Sequence, residues 1–260
     1  MTEDCRSNLQ TEQGLSTTGN MFESAVQGNA TKTSSRNTAI LGLLLVGSAP
    51  TISVVSGFVF QVGILAIFIF VLTKIWVFGL PGLWHLKIEK NQFSWSPANR
   101  GGWGMSLLLG GGMMVVVWGA YFLLGEQMLQ PEALKAILDP VGLTVPWKFA
   151  AAIVFWVFIN SVLEEYVFRW FITSKIEQLI GGKWRSIFLA SGVFTLHHTI
   201  ALAFFLEPLG VCIASLGVFI GGAIFSWLYL EYRSIWVAWI AHACADVAIF
   251  TVAWNLVIGF

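Results

Sequence analysis

The chain carries little charge for its length. Only 11% of its 260 residues are Asp, Glu, Lys or Arg, whereas about a quarter is usual in soluble domains. Hydrophobic residues make up 57% of the sequence. This composition excludes an ordinary soluble globular fold and predicts an integral membrane protein.

Neither sign of charge is in excess, because 14 basic residues balance 14 acidic ones. Without an excess of basic residues, the chain has no electrostatic attraction for nucleic acid, so nucleic-acid binding is excluded.

Cysteine is also scarce. The three cysteines, Cys5, Cys212 and Cys244, are far apart and form no CxxC pair, which excludes a disulfide framework and a cysteine-rich metal site.

Long apolar runs dominate the sequence after a polar start. Residues 1–37 are rich in Ser, Thr, Asn, Gln and Gly, and they predict a disordered polar tail. A helix needs about 20 apolar residues to cross a bilayer. Seven such segments are predicted, with six to eight spans as the range: 38–57, 58–78, 103–124, 147–173, 186–204, 209–230 and 234–258. The expected fold is an all-α polytopic transmembrane helical bundle.

The first two segments have an alternative interpretation, in which a short half-helix precedes one long helix. A loop is predicted at 81–102 and a linker at 125–146. Residues 38–146 are therefore expected to form an N-terminal set of helices and loops, and residues 147–260 a C-terminal helical core.

Basic residues outside the membrane predict the orientation. Ten lie on one side, in the tail and in alternate loops, against only Lys135 and Lys148 on the other: Arg6, Lys32, Arg36, Lys87, Lys90, Arg100, Lys175, Lys183, Arg185 and Arg233. The positive-inside rule therefore predicts a cytoplasmic N-terminus. The expected location is the cell (plasma) membrane.

Three charged residues interrupt the fourth apolar segment: Glu164, Glu165 and Arg169. Each such charge near the centre of a membrane helix costs roughly 2.5–3.5 kcal/mol on insertion scales, and residues kept at that cost are usually functional. Glu165 and Arg169 are four apart, so they are predicted to pair on one helix face. Glu164 points about 100° away and is free to act as a general base.

Two later segments carry polar residues at a similar depth. His198 lies in the fifth segment, and His242 and Asp246 lie one turn apart in the seventh. With a rise of about 1.5 Å per residue, these groups and the glutamates lie roughly 12–18 Å from the basic side. They are predicted to form one site, with a carboxylate base, a histidine that orients water and a histidine that stabilises an oxyanion. The neighbouring His197 is assigned to the core.

A metal site is the alternative use of the same residues. Glu164, His198 and His242, with Asp246 as an optional fourth ligand, would suit Zn²⁺ or another divalent cation, because a glutamate and two histidines are a familiar zinc set. The spacing favours neither the metal nor the glutamate base, and no cofactor is certain.

Three ordered motifs resemble those of a known family. Glu164-Glu165-x-x-x-Arg169, Phe194-x-x-x-His198 and His242-x-x-x-Asp246 are similar to the motifs of the CPBP (CAAX protease and bacteriocin-processing, or abortive-infection) intramembrane endopeptidases, over about residues 147–258. The resemblance implies a multi-pass helical peptidase. In that family the first glutamate and the second-motif histidine activate water, and the third-motif pair forms the oxyanion hole; many members are labelled metalloproteases.

Two positions depart from the family pattern. Trp170 follows the arginine where glycine is frequent, and this bulk is expected to narrow the cytoplasmic approach. Asp246 ends the third motif where asparagine is also frequent. Because an ionised carboxylate cannot donate a hydrogen bond, Asp246 must be protonated, orient His242 or bind a metal.

The expected function is hydrolysis of a peptide bond in a membrane-associated or lipid-modified protein or peptide, by CAAX-type or leader processing. The expected partners are membrane lipid and a protein or peptide substrate. Two alternatives stay open. One is a non-catalytic bacteriocin-immunity or binding protein; the other is a proton-coupled transporter with Glu164, His198 and Asp246 as a relay. Transporters are often built from internal repeats, and none is evident in this sequence.

Overall fold

A computed structural model describes residues 36–56 and 64–259. The predicted tail lies outside these ranges except for its last two residues, which are helical, and the predicted boundary between the segments 38–57 and 58–78 also lies outside them. The chain divides into two units, residues 1–41 and 42–260. All candidate site residues belong to the second unit.

The described residues are helical, apart from connecting turns, one loop and an isolated antiparallel bridge between Leu129 and Leu206. The helices are α1 Arg36–Val54, α2 Ile64–Leu83, α3 Trp103–Met128, α4 Pro131–Leu138, α5 Pro146–Ile180, α6 Lys183–Leu202, α7 Pro208–Tyr232 and α8 Ile235–Val257. This architecture confirms the predicted all-α bundle.

Five described helices are long and apolar enough to cross a membrane: α1, α3, α5, α7 and α8. The helices α2 and α6 have 20 residues each, or about 30 Å at 1.5 Å per residue. They lie where the second and fifth spans were expected. The chain is therefore polytopic, and seven stays the predicted number of spans.

Two predicted boundaries are wrong. The helix α2 does not end before Pro81 but runs through it, and a π-helical turn, Trp84–Ile88, extends it into the predicted loop. Proline removes one helical hydrogen bond, but Trp84 is buried in the core with Phe168 and Phe171 of α5, and this packing keeps the chain helical. In the predicted linker, α3 continues to Met128 and the eight-residue helix α4 forms. The prediction missed α4 because it searched for apolar segments long enough to cross a membrane, and α4 is short and amphipathic.

Close packing brings α5, α6 and α8 together. One buried cluster joins Phe168 of α5 to Phe194 of α6, and a second joins Leu228 of α7 to Val237 of α8. The helix α3 approaches α8 so closely that a Cβ added at Gly110 would lie 3.1 Å from the Cα of Ala241 in α8. The polar residues of α5, α6 and α8 therefore lie on closely packed helices.

Candidate active site

The helix α5 changes its winding on both sides of the two glutamates. π-helical segments at Trp156–Asn160 and Tyr166–Thr173 flank a short α-helical stretch, Ser161–Glu165. π-helical turns are rare and often occur at functional sites. Trp239 of α8 donates its indole N–H to the Val157 carbonyl oxygen at 3.1 Å, so the neighbouring helix supports the first irregular turn.

Glu165 is fully buried and contacts two positively charged or titratable groups. Its Oε2 lies 3.2 Å from Nε of Arg169, so the predicted pair is present. Its Oε1 accepts a hydrogen bond from Nδ1 of His242 at 2.8 Å. This second contact, which the sequence did not predict, connects α5 to α8.

The guanidinium of Arg169 lies among aromatic rings. Its Cζ is 4.5 Å from the ring centroid of Phe194, 5.3 Å from that of Phe225 and 5.9 Å from that of Phe168. Within the described structure none of its nitrogens has a partner with hydrogen-bond geometry. The buried charge is therefore balanced by one carboxylate and by the negative faces of the rings.

Glu164 has different partners from Glu165, as its different helix face predicts. Its Oε1 accepts a hydrogen bond from Nδ2 of Asn160 at 2.6 Å. Its Oε2 lies 3.8 Å from Nε2 of His242, beyond hydrogen-bond distance, and the side chain is 20% exposed. One carboxylate oxygen is therefore held in place, and the other is left open.

His242 stands between the carboxylates. Because the Glu165 carboxylate can only accept, Nδ1 of His242 carries a proton. Its Nε2 lies 3.6 Å from Oδ1 of Asp246, which agrees with the predicted shared helix face. The imidazole stacks on Phe225 with a centroid distance of 4.6 Å, and this contact fixes the ring plane.

His198 completes the set from α6. Its Nδ1 donates to the Phe194 carbonyl oxygen at 2.8 Å, which leaves Nε2 as an acceptor. The charged and titratable groups that act on it electrostatically include Glu164 and His242. His197, by contrast, is buried and stacks on Phe168, as expected of a core residue.

Two residues near Glu164 were not predicted as site residues. Asn160 is a polar residue one turn before Glu164. Lys74 of α2 lies with Nζ 5.6 Å from the Phe78 ring centroid, and its charge interacts with those of Glu164 and His197. A lone lysine or asparagine in an apolar segment was the available signal.

The metal site that the sequence offered as an alternative stays a prediction. Across the described residues, no group of three or more His, Cys, Asp or Glu side chains could hold one. Both site histidines use Nδ1 for hydrogen bonds within the protein, which leaves Nε2 of each ring as the nitrogen that can face a ligand. The arrangement gives no support to the metalloendopeptidase alternative.

The comparisons with known proteins gave one family. Residues 146–248 match the family described as "Type II CAAX prenyl endopeptidase Rce1-like". No curated protein and no solved structure matches the chain. The matched stretch contains all six predicted site residues. Residues 146–248 are therefore similar to the Rce1-like family of CAAX proteases, which confirms the resemblance to the CPBP intramembrane endopeptidases over this part of the chain.

Proposed function

We propose that the protein hydrolyses a peptide bond near the C-terminus of a lipid-modified protein or peptide, with water activated by Glu164. The observation that carries this proposal is the environment of that carboxylate: Oε1 is held by Asn160, and Oε2 is open and faces His242. The name of the matching family, a CAAX prenyl endopeptidase, supports a prenylated substrate.

Glu164 acts first as a general base. It takes a proton from a water molecule whose oxygen attacks the carbonyl carbon of the scissile bond, and it then gives a proton to the leaving amine. His198 accepts a hydrogen bond from the same water through Nε2 and so directs its lone pair at the carbonyl. For these two roles, Oε2 of Glu164 and Nε2 of His198 must each be an acceptor that makes no other hydrogen bond within the protein.

His242 stabilises the oxyanion that forms on the carbonyl oxygen. With Nδ1–H bound to Glu165, its Nε2 donates to the oxyanion as part of an imidazolium. The nearby carboxylates of Glu165 and Asp246, at 2.8 Å and 3.6 Å from the ring nitrogens, balance that positive charge. Asp246 thus acts by orienting His242, which does not require a donor proton.

The N-terminus is proposed to be cytoplasmic and the location to be the plasma membrane. Ion pairs between Lys175 and Glu89, and between Lys183 and Glu231, join the helix ends and the loop that carry most of the basic residues. These segments therefore lie on one side, as the positive-inside rule requires of a cytoplasmic face.

Cleavage of a prenylated peptide tests the proposal directly. Purified protein in nanodiscs is expected to cut such a peptide on the C-terminal side of its lipid-modified cysteine, and a chelator is expected to leave the rate nearly unchanged. The products are identified by mass spectrometry, and the same peptide without lipid is the control. Absence of cleavage contradicts the proposed function, whereas chelator inhibition reversed by zinc contradicts the glutamate-base mechanism.

Asn160 is expected to position the base. Asn160→Ala removes the 2.6 Å hydrogen bond to Oε1 of Glu164. Hydrogen bonds to charged groups contribute about 1.5–3 kcal/mol, so kcat should fall at least about tenfold while KM changes little. Asn255→Ala is the matched control, because Asn255 bonds Tyr121 instead. Equal kinetics for the two variants would show that Asn160 has no positioning role.

A further inference from the structure

A polar cavity of about 390 Å³ lies at helix ends outside the candidate site. Its walls come from the loop before α3, from Trp170 of α5, and from the last turn of α7 with the residue that follows. Two guanidinium groups, those of Arg100 and Arg233, line it together with hydroxyl groups. The volume is in the range of small-ligand pockets, about 300–1,000 Å³.

Hydrogen bonds hold the wall of this cavity in place. The Ser234 hydroxyl donates to the Ser96 carbonyl oxygen at 2.7 Å, and the Ile235 amide donates to the Ser96 hydroxyl at 3.0 Å. The indole N–H of Trp236 donates to the Trp95 carbonyl oxygen at 2.8 Å. The loop is therefore fixed to the start of α8, and the cavity is pre-formed.

Positive charge exceeds negative charge around the cavity. Arg233 forms a bidentate pair with Glu177, at 2.6 Å and 2.8 Å, and Lys183 pairs with Glu231. Arg100 forms no ion pair with any described residue, and its guanidinium donates one long hydrogen bond, 3.3 Å, to the Glu231 carbonyl oxygen. The Glu231 carboxylate acts on Arg100 electrostatically but is paired with Lys183, so the Arg100 guanidinium keeps donors for an anionic ligand.

Exposed aromatic side chains place the cavity at the membrane surface. Phe93 and Trp95, which flank Ser94 of the cavity wall, are 62% and 73% exposed. Trp103, the first residue of the candidate span α3, is also exposed. Tryptophan concentrates at membrane–water interfaces, so these side chains favour a ligand from the bilayer surface over one from bulk water.

We propose that this cavity binds the phosphate of an anionic phospholipid headgroup, with Arg100 as the main contact. A guanidinium presents two parallel N–H donors that match two phosphate oxygens, and the hydroxyl groups of the wall add further donors. This lipid site goes beyond the proposed peptidase activity, because hydrolysis in the candidate active site does not require it.

Native mass spectrometry of the full chain in detergent, titrated with phosphatidylglycerol or phosphatidylcholine, tests the site. Phosphatidylglycerol is expected to bind several-fold more tightly. Arg100→Gln should weaken that binding roughly fivefold, the effect of one basic residue at an anionic surface. Lys87→Gln is the matched control, because Lys87 is an exposed basic residue in the π-helical turn after α2 and does not line the cavity.

Ser94→Asp gives an independent variant that leaves Arg100 unchanged. Aspartate can accept the hydrogen bond that Ser94 accepts from the Ser96 amide at 3.1 Å, so the turn should persist. The added negative charge should weaken phosphatidylglycerol binding as Arg100→Gln does.

Three kinds of result would overturn the lipid site. One is a lack of specificity, shown either by equal affinity for the two lipids or by an equal loss in Lys87→Gln. Another is displacement of phosphatidylglycerol by equimolar inorganic phosphate, which would assign the cavity to a free anion. The third is a changed peptide-cleavage rate for Arg100→Gln in pure phosphatidylcholine with lipid binding unchanged, which would assign the cavity to the substrate.

Discussion

Replacement of Glu164 by glutamine is expected to lower kcat for peptide cleavage by at least about a hundredfold, since a positioned general base contributes about 10²–10⁴-fold. Glutamine keeps the size of the side chain, and its carbonyl oxygen can still accept the hydrogen bond from Asn160. The loss should therefore fall on kcat, with KM and thermal stability nearly unchanged. Initial rates over a range of peptide concentrations, on protein of verified folding, measure this.

Glu132→Gln is the matched control for that experiment. Glu132 lies in α4 with a side chain 91% exposed, so the same chemical change there should leave the rate unaltered. A Glu164→Gln variant with at least half of the wild-type kcat would exclude Glu164 as the base. The carboxylates of Glu165 and Asp246 would then be the next candidates, because both lie within 4 Å of His242.

The sequence was sufficient for those parts of the site that depend on helical spacing. The pair Glu165–Arg169 and the shared face of His242 and Asp246 follow from a separation of four residues. The different surroundings of Glu164 follow from its neighbouring position. The assembly of α5, α6 and α8 into one polar site was inferred from similar depth in the membrane, which apolar length and rise per residue can supply.

Helical spacing and depth in the membrane do not predict which side chains contact each other between helices. The hydrogen bond from His242 to Glu165 joins residues 77 positions apart, and no local pattern indicates it. The first π-helical segment of α5 has a partner on another helix, because the indole N–H of Trp239 donates a hydrogen bond to the carbonyl oxygen of Val157. In the same way, the continuation of α2 past Pro81 depends on the burial of Trp84.

Glu165 therefore has a larger role than an intrahelical ion pair. It is fully buried, it balances the charge of Arg169 and it holds the imidazole of His242. A change at Arg169 acts on both functions, because it leaves the Glu165 carboxylate buried without its cationic partner. Stability and the orientation of His242 are coupled through this one side chain.

Replacement of Arg169 by methionine is expected to give the largest loss of stability, about 3–5 kcal/mol, because breaking a buried ion pair from one side leaves an uncompensated charge. Unfolding in detergent, followed by circular dichroism or a thermal shift, measures the loss. Arg185→Met is the matched control, since Arg185 is exposed.

The double variant Arg169→Met with Glu165→Gln separates charge from packing. Removal of both charges should restore part of the stability, because the remaining amide needs no cationic partner. Recovery should be incomplete, since an amide accepts the hydrogen bond from His242 more weakly than a carboxylate does. A double variant no more stable than Arg169→Met alone would show that the aromatic contacts of the guanidinium, rather than its pairing with Glu165, hold this part of α5 in place.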